Sequence, residues 1–452
     1  MRKKNVCTML LCAVLAVSIS ACGKEASQTT YPENVNQPTT GVIVDKELEA
    51  LPTVTEVPAP TVTPTMTPTP VPTEVPIPIE KAEEESNSDL KIDEEYAGFE
   101  ASEGFKFSSN GDGTCVLEDI GVCEDSILVI PAVSNKGDKV VEIAEHAFYN
   151  CEDIETIVFA GVTMELADRA FQMCQFEKLV ITGCDLIVGE NCFSYCEDVT
   201  EIYISGSNIE FEEYAFYQVG KDAKLTIKNT TGVIGDRAFQ VAPLAEINII
   251  DCEIEVGENA FSYCEDVITV NINNCSIELG EYAFYDCGDE MTVMIYESDV
   301  VMDDRAFQCC EAISLEINNS DVEMGSNTFS YCEELSAVVI VECNVFVGEY
   351  CFYSCPELIS VSIDENITTE DVSIELDDRA FQMCEGLTTV VIGNGNIKIG
   401  DSAFSYCEEL KVVTIGKKIS KIGSDVFYSC HEELVIQYDG GTYNAKGIED
   451  ID

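Results

Sequence analysis

The chain has 452 residues, of which 46% are hydrophobic, and its 84 acidic residues against 24 basic ones give a formal net charge of −60. Such a charge repels phosphate groups, so nucleic acid and anionic lipid surfaces are excluded as partners. The length allows two or three globular domains or one long array of repeats, and the pattern along the chain decides between them.

Residues 1–22 have the pattern of a secretory signal peptide. Basic residues at positions 2–4 are followed by an apolar run over 9–17, which is too short to span a bilayer, and by Ile19-Ser20-Ala21-Cys22. These last four residues resemble the lipobox of bacterial lipoproteins. The resemblance implies that Cys22 is lipidated and begins the mature protein, whereas the alternative is an ordinary signal peptide with an incidental cysteine.

Residues 23–98 are polar, rich in proline and threonine, and without apolar periodicity. Such a composition buries too little apolar surface to fold, so we predict a disordered, extended spacer. Residues 99–147 differ from the repeats on their C-terminal side and are predicted to form a cap. Asn110-Gly111-Asp112-Gly113 favours a hairpin turn, and residues 127–130 are predicted to form a first strand.

From residue 148 to residue 438 one motif returns thirteen times. A phenylalanine recurs every 22 or 23 residues, with a single interval of 29 between Phe352 and Phe381. A fixed period of this length indicates a solenoid whose coils must stack to bury their apolar faces. Alternation such as Val270-Asn271-Ile272 and Ile254-Glu255-Val256 is typical of half-buried strands. Each coil is therefore predicted to hold a main strand, a second short strand and a short helical turn around the phenylalanine.

The recurring pattern AFxxCxxLxxVxI, followed by IxIGxxAF, resembles the BspA-like leucine-rich repeat of bacterial and protist surface proteins, over residues 127–438. The resemblance implies a leucine-rich-repeat solenoid and a role in adhesion. The glycine of the pattern is expected to give the turn backbone freedom. The phenylalanines and cysteines of the motif are predicted to form core columns, among them Phe261, Phe284, Phe307, Cys264, Cys287 and Cys310.

The cysteine column suggests either disulfides or buried thiols. We favour reduced core thiols, because Val219 and Ala242 replace two members of the column, as a packing position permits and a pairing scheme does not. No cysteine or histidine spacing typical of zinc is present, and no metal or cofactor is expected. A second, partial column, which is also interpreted as core, consists of Cys184, Cys252, Cys275 and Cys343.

A longer period of three coils overlies the first. The residue after the phenylalanine cycles through Tyr, Gln and Ser, and we name the coils Tyr, Gln and Ser coils accordingly. The residue two places before the phenylalanine cycles as well. We interpret these positions as exposed and as candidate ligand-facing rows. Duplication of a three-coil block without any role is the favoured explanation of the period, and pairing with neighbouring acids is the expected role of most of the arginines. The rows are Tyr214, Tyr282 and Tyr350, and Arg169, Arg237, Arg305 and Arg379.

No enzyme is indicated, because the two histidines, His146 and His431, lie at opposite ends of the array and no hydrolase or nucleotide-binding motif is present. The leading hypothesis is a monomeric, lipid-anchored bacterial surface protein that binds an extracellular protein or polysaccharide. The alternatives are a self-assembling envelope protein and a substrate-capturing partner of a secreted enzyme. A spacer behind a lipid anchor favours a Gram-positive wall and leaves an outer-membrane surface open. Residues 434–438 are predicted to form a last strand, and the polar tail 439–452 is predicted to help close the stack.

Overall fold

The computed structural model describes residues 90–288, 290–364 and 372–449. These residues form a β-solenoid in which each coil contributes one strand to each of two sheets. Outside the two ends, every strand pairs in parallel with its counterpart in the next coil. The predicted leucine-rich-repeat fold, with a main and a short strand per coil, is confirmed.

Sheet A holds the short strands, whose burial alternates because every second side chain points into the core. Ile254 and Val256 of β14 are buried, for example, whereas Glu253 and Glu255 are exposed. The strands of sheet A are β1 (Lys106–Ser109), β2 (Thr114–Asp119), β4 (Lys139–Ile143), β6 (Thr163–Leu166), β8 (Asp185–Val188), β10 (Asn208–Phe211), β12 (Thr231–Ile234), β14 (Glu253–Val256), β16 (Ser276–Leu279), β18 (Asp299–Met302), β20 (Asp321–Met324), β22 (Asn344–Val347), β24 (Ser373–Leu376), β26 (Asn396–Ile399) and β28 (Ile419–Ile422).

Sheet B holds the main strands and packs its inner face against that of sheet A. Val270 and Ile272 of β15 are fully buried, as their alternation predicts. The strands of sheet B are β3 (Ile127–Val129), β5 (Thr156–Ala160), β7 (Lys178–Thr182), β9 (Glu201–Ser205), β11 (Ala223–Lys228), β13 (Leu244–Ile250), β15 (Thr269–Asn273), β17 (Met291–Tyr296), β19 (Ala312–Asn318), β21 (Ala337–Val341), β23 (Ser360–Ile363), β25 (Thr389–Ile392), β27 (Val412–Ile415), β29 (Val435–Tyr438) and β30 (Gly441–Tyr443).

The segment around each phenylalanine is a series of tight turns and not the short helical turn that the sequence suggests. Two residues of each segment, such as Asn259 and Tyr263 around Phe261, have left-handed backbone angles (φ 58° and 62°). At these angles the N–H and C=O groups of alternate peptide units point along the stack, toward the neighbouring coils. In a helix they would all point along the helix axis and pair within the segment. The Phe239 N–H therefore donates to the Ala260 carbonyl of the next coil, and the Phe261 N–H donates in turn to the Ala283 carbonyl, both at 2.7 Å. Chains of hydrogen bonds run from coil to coil in this way.

The glycine before the turn has a different role from the expected one. Gly257 is absent from the left-handed residues, but a Cβ there would lie 2.7 Å from the backbone nitrogen of Asp236 in the preceding coil. Glycine thus permits close approach of two coils, and the backbone freedom is used two residues later.

Stacked phenylalanine rings fill the core behind the turns. Neighbouring rings, such as Phe261 and Phe284 at 4.9 Å and Phe284 and Phe307 at 4.7 Å, lie nearly parallel, and all three side chains are fully buried. The same column continues from Phe148 to Phe427, with centroid distances between 4.6 and 5.7 Å. The structure thus places Phe261, Phe284 and Phe307 in the predicted core ladder.

The cysteine column lies beside the phenylalanines, and the twenty cysteines of the described residues are all free thiols. From Cys196 onward each thiol of this column donates to the phenylalanine carbonyl one coil earlier, for example Cys264 to Phe239 at 3.2 Å and Cys287 to Phe261 at 2.9 Å. Cys310 and Phe284 repeat the contact at 2.7 Å. The thiols are therefore hydrogen-bond donors as well as packing groups, which sequence reasoning missed.

The second cysteine column lies at the corner between a sheet B strand and the following sheet A strand. Cys275 donates to the Asn273 carbonyl two residues earlier at 3.1 Å, and Ser298 one coil later donates to the Tyr296 carbonyl at 2.7 Å. Serine substitutes for cysteine in this column because either side chain satisfies the corner carbonyl.

Residues 90–99 form a segment, named here the strap, that crosses the outer face of sheet B. The Lys91 N–H donates to the Gly206 carbonyl at 3.0 Å, and the Asp93 N–H donates to the Thr182 hydroxyl at 2.8 Å. The Tyr96 ring covers Val129, Val158 and Val180. The predicted boundary of the spacer at residue 98 therefore needs correction, because apolar and polar contacts hold residues 90–98 on the array.

Additional elements cover the core at both ends of the stack. At the N-terminal end β1 and β2 form an antiparallel hairpin that closes at residues 110–113, and Phe105 contributes to the core. At the C-terminal end β30 pairs antiparallel with β29, and the short helix α1 (Ala445–Glu449) buries Ile448. The Glu449 carboxylate accepts a hydrogen bond from the Val426 N–H at 2.8 Å.

Several sequence predictions lie outside the described residues. These are the signal peptide with Cys22, most of the spacer, and residues 365–371 within the 29-residue interval after Phe352. Within residues 90–288, 290–364 and 372–449, no helix is long and apolar enough to cross a membrane.

Candidate binding face

The turns of successive coils form a surface that we name the turn face, made of the residues two before, one after and two after each phenylalanine. The first and third of these positions are left-handed in every coil, which turns their side chains away from the core. The predicted ligand-facing rows, Tyr214, Tyr282 and Tyr350 and the four arginines, all lie on this face.

Tyrosines from neighbouring coils cluster on the turn face. Tyr285 lies between Tyr263 of the preceding Ser coil and Tyr282 of its own coil, with ring centroids at 5.5 and 5.4 Å and the rings edge to face. Tyr217 and Tyr353 occupy the corresponding positions three coils away on either side. A cluster of three tyrosines is thus repeated with the three-coil period.

The tyrosines two after the phenylalanine of each Ser coil were not among the predicted site residues. Tyr195 and Tyr331 are the exposed members of their clusters, with 40% and 47% of the side chain accessible, whereas Tyr263 is half-buried. The signal was the recurring Ser-Tyr-Cys of the Ser coils, which was interpreted only as part of the repeat; the four residues are Tyr195, Tyr263, Tyr331 and Tyr406.

Packing within the clusters changes the acidity of the central phenols. Partial burial, followed by the proximity of Tyr195 and Tyr214, raises the pKa of Tyr217. The pKa of Tyr353 is raised by burial and by Tyr331 and Tyr350 in the same way. The central tyrosines therefore remain neutral hydrogen-bonding groups at physiological pH.

The arginine row is engaged by glutamates of neighbouring coils. Arg305 is 2.7 Å from Glu281, and Arg379 is 3.0 Å from Glu349. Arg237 contacts Glu213 at 2.9 Å, and Arg169 lies between Glu145 and Glu190 at 3.9 and 3.7 Å. Charge pairing is therefore local, but it joins adjacent coils, whereas the sequence suggested the aspartates that directly precede each arginine.

In the Gln and Ser coils, the residues directly after the phenylalanine are less exposed than predicted. Ser262 is fully buried and accepts a hydrogen bond from the Gln240 amide of the preceding coil at 2.9 Å. Gln308 and Ser330 repeat this pair at 2.7 Å. The Gln and Ser positions therefore join Gln coils to Ser coils, and they do not face a ligand.

Two other surfaces are less organised. The outer face of sheet A carries a shallow groove of about 420 Å³, where Val301 and Phe346 lie among carboxylates such as Glu278 and Glu323. The outer face of sheet B carries small uncharged residues such as Thr226 and Asn271 beyond the strap. Neither surface repeats an aromatic group from block to block as the turn face does.

The two histidines of the chain lie far apart, and no metal site accompanies them in the described residues. No group of three histidine, cysteine or acidic side chains there is arranged to hold a metal ion. His146 lies beside Glu145 in the first coil, and His431 accepts a hydrogen bond from the Glu433 N–H at the other end.

The chain belongs to the family of BspA-type leucine-rich-repeat proteins. The family model matches residues 133–246, 254–374 and 374–437, which together exceed half of the chain. Membership fits a role in interaction or adhesion, and the leucine-rich-repeat solenoid is typically a non-enzymatic binding scaffold. A comparison with curated protein sequences gives no significant match.

Solved structures of bacterial proteins resemble the chain at low identity. A leucine-rich repeat protein from Bacteroides ovatus is 20% identical, with 74% of this chain and 98% of that one covered and a TM-score of 0.33. A leucine-rich cell surface protein from Faecalibacterium prausnitzii is 18% identical, with 76% and 95% covered and a TM-score of 0.28. The pneumococcal vaccine antigen PcpA is 14% identical, with 76% and 87% covered and a TM-score of 0.25.

Proposed function

We propose that this protein is a lipid-anchored, monomeric bacterial surface protein whose turn face binds an extracellular protein or polysaccharide. The observation that supports this most is the cluster of three tyrosines around Tyr217, Tyr285 and Tyr353, which recurs every three coils. Tyrosine offers a large contact area together with a polar hydroxyl, and it is enriched at binding surfaces.

Repetition favours a polymeric ligand. Coils in a parallel stack are about 4.8 Å apart, so equivalent clusters are separated by about 14 Å. Once a polymer is bound at one cluster, the next cluster is present at a high effective concentration. Several individually weak contacts then give a higher overall affinity.

Binding is tested with the full-length chain in detergent on an array of matrix proteins and polysaccharides. We expect at least one ligand to bind, and the triple variant Tyr217→Ser, Tyr285→Ser and Tyr353→Ser to weaken its binding by tenfold or more. A matched control is Tyr296→Ser on the outer face of sheet B. Equal binding by the triple variant and the wild type would contradict the role of the turn face.

The anchor is a separate proposal, supported by Ile19-Ser20-Ala21-Cys22 and the spacer-like composition after it. We expect cells that express the protein to incorporate labelled fatty acid into it, and the variant Cys22→Ala to abolish this incorporation. Cys12→Ala is the matched control within the same segment. Label in the Cys22→Ala protein would refute lipidation at Cys22.

Self-assembly end to end is disfavoured by the covered ends of the stack. The hairpin of β1 and β2 covers the core at one end, and β30 with α1 covers it at the other, while β28 stays the outer strand of sheet A. In the described residues, another copy would therefore find few core side chains exposed at the ends. A single species of monomer mass in light scattering is the expected result.

A further inference from the structure

The second cysteine column, at the corner between the two sheets, contains one pair of cysteines in adjacent coils. From coil to coil this column carries cysteine, serine or threonine, and two cysteines follow each other in it only at Cys252 and Cys275. Cys184 and Cys343 belong to the same column, but their neighbours along it are not cysteines. The members in order are Cys184, Ser207, Thr230, Cys252, Cys275, Ser298, Ser320 and Cys343.

Cys252 and Cys275 lie side by side in the stack. The Ser276 N–H donates to the Cys252 carbonyl at 2.9 Å, and the strands that follow the two cysteines pair in register. Both side chains have the same orientation, because each thiol donates to the carbonyl two residues earlier at 3.1 Å. Adjacent coils are about 4.8 Å apart, within the range of about 4.4–6.8 Å that Cα atoms joined by a disulfide show. The coil spacing therefore suits a bond between the two sulfur atoms.

The pair is accessible from outside, whereas the isolated cysteines of the column are not. Cys252 and Cys275 are each 5% accessible, and Cys184 and Cys343 are both 0% accessible. A small oxidant can therefore reach the pair in the folded protein, and it cannot reach the isolated thiols without local opening of the stack.

The acidity of the paired thiols differs in the same sense. The Cys252 thiol, which can donate to the Cys275 sulfur, lowers the pKa of Cys275, and the same contact raises the pKa of Cys252. Burial raises the pKa of Cys184 and of Cys343 to about 11. Because the thiolate is the reactive form, Cys275 is the thiol of this column that reacts first, and Cys252 is positioned to react with its product.

We propose that Cys252 and Cys275 are a redox-reactive pair that hydrogen peroxide converts to a disulfide between adjacent coils. The Cys275 thiolate attacks one oxygen of the peroxide, the O–O bond breaks, and hydroxide leaves while Cys275 becomes a sulfenic acid. The Cys252 sulfur then forms the S–S bond, the S–O bond breaks, and the hydroxyl group leaves as water with the proton of Cys252. Two thiols lose two electrons in all, and one peroxide is reduced to two water molecules.

The disulfide would join the coil of Tyr263 to the coil of Tyr285, whose rings pack against each other on the turn face. Its formation needs no ligand on that face. Failure of this inference therefore leaves the proposed function untouched, and loss of ligand binding in the tyrosine variants leaves this inference untouched.

The test uses the full-length protein in detergent, which is reduced, freed of reductant and treated with hydrogen peroxide before the remaining thiols are alkylated. A glutamate-specific protease separates Cys252 and Cys275 from each other and from Cys264, in fragments 247–253, 266–278 and 259–265. We expect fragments 247–253 and 266–278 to be recovered as one species that lacks two hydrogen atoms. Free thiol at Cys275 should disappear at least tenfold faster than at Cys184 and Cys343.

Serine variants separate the two steps and should fold normally, because Ser298 and Ser320 make the same corner hydrogen bond at 2.7 and 2.8 Å. In Cys252→Ser we expect the sulfenic acid on Cys275 to persist and to be captured by a sulfenic-acid-trapping reagent. In Cys275→Ser we expect Cys252 to be oxidised at least tenfold more slowly than in the wild type. The matched control Cys343→Ser, which removes an isolated thiol of the column, should form the disulfide at the wild-type rate.

Two results would overturn this inference. One is a Cys275 that reacts no faster than Cys184 and Cys343. The other is a first disulfide at a different pair, such as Cys151 and Cys174 of the main column, where Cys151 is half-buried and Cys174 is only 1% accessible.

Discussion

At the residue scale, the buried thiols explain both the regularity of the cysteine column and its exceptions. Burial raises the pKa of Cys287, Cys310 and Cys332 well above the ordinary value, so they remain protonated donors to the phenylalanine carbonyls. Ala242 has no thiol that could donate to the Phe216 carbonyl one coil earlier. It is tolerated because this carbonyl still accepts a hydrogen bond from the Val219 N–H at 3.2 Å.

Stability is predicted to fall as the pH rises from 8 to 10. A folded-state pKa above the unfolded one means that this stabilisation is complete below the unfolded pKa, about 8.5, and is lost as the pH rises toward the folded pKa. Each such thiol lowers the stability by up to about 1.4 kcal/mol per pH unit, a slope that is approached once the pH is well above 8.5. Urea midpoints measured at pH 7, 8, 9 and 10 check this.

The variant Cys287→Val and Cys310→Val gives the control for this titration, since Val219 fills the same column. We expect a shallower pH dependence than in the wild type. A midpoint that is constant from pH 7 to pH 10 in the wild type would contradict the prediction.

At the element scale, the strap explains a local choice of glycine. The corner between the two sheets is Gly161, Gly183 and Gly206 in the three coils that the strap crosses, and all three glycines are left-handed. A Cβ at Gly183 would lie 2.7 Å from the Ile92 nitrogen, and one at Gly206 would overlap the Lys91 carbonyl oxygen. Later coils use Asn229 and Asn274 at this corner, with φ 48° and 51°.

Replacing Gly183 and Gly206 by asparagine is predicted to displace the strap and leave the coils folded, because asparagine adopts the same backbone angles. Trypsin cleavage after Lys91 should then accelerate about tenfold, which corresponds to about 1.4 kcal/mol of lost docking energy. Asn274→Gly exchanges the same residue types at an uncovered corner and should leave cleavage unchanged. Loss of the main thermal transition in the double variant would show that the glycines serve the coils themselves.

The strands could be predicted from sequence because alternation such as Ile254-Glu255-Val256 depends only on which side chains face the core. The strap could not, because Ile92 and Tyr96 lie in a polar segment and are covered by residues about 30 to 110 positions away. On the turn face, Tyr282 and Arg305 were predicted from their period alone. Their stacking and the burial of Ser262 depend on left-handed angles at residues that rarely adopt them, which the repeat pattern does not reveal.

At the scale of the whole molecule, the three-coil period is a structural unit as well as a trace of duplication. Gln coils donate to Ser coils through pairs such as Gln240 and Ser262, Ser coils pack Tyr263 on Tyr285 of the Tyr coil, and Tyr coils offer Glu281 to Arg305. Each interface between coil classes therefore has its own contacts, and the order of the classes matters.

Deleting one whole block, residues 214–281, joins Glu213 to Tyr282 and preserves the order of the classes. Deleting the single Gln coil 237–258 joins Asp236 to Asn259 and leaves Glu213 and Ser262 without Arg237 and Gln240. The lost contacts are worth about 1–2 kcal/mol. The block deletion should therefore melt no earlier than the single-coil deletion, although it removes three times as much chain. An earlier transition in the block deletion would refute the structural role of the period.

The strap also determines how tension would enter the array. A pull on the chain ahead of Lys91 acts first on the hydrogen bond to Gly206 and then on the contacts of Asp93 and Tyr96, before it reaches the hairpin or any coil. These few contacts yield more easily than paired parallel strands. Their release would lengthen the chain by roughly 30 Å at about 3.4 Å per residue. The first response to force is therefore this extension, and the turn face stays folded.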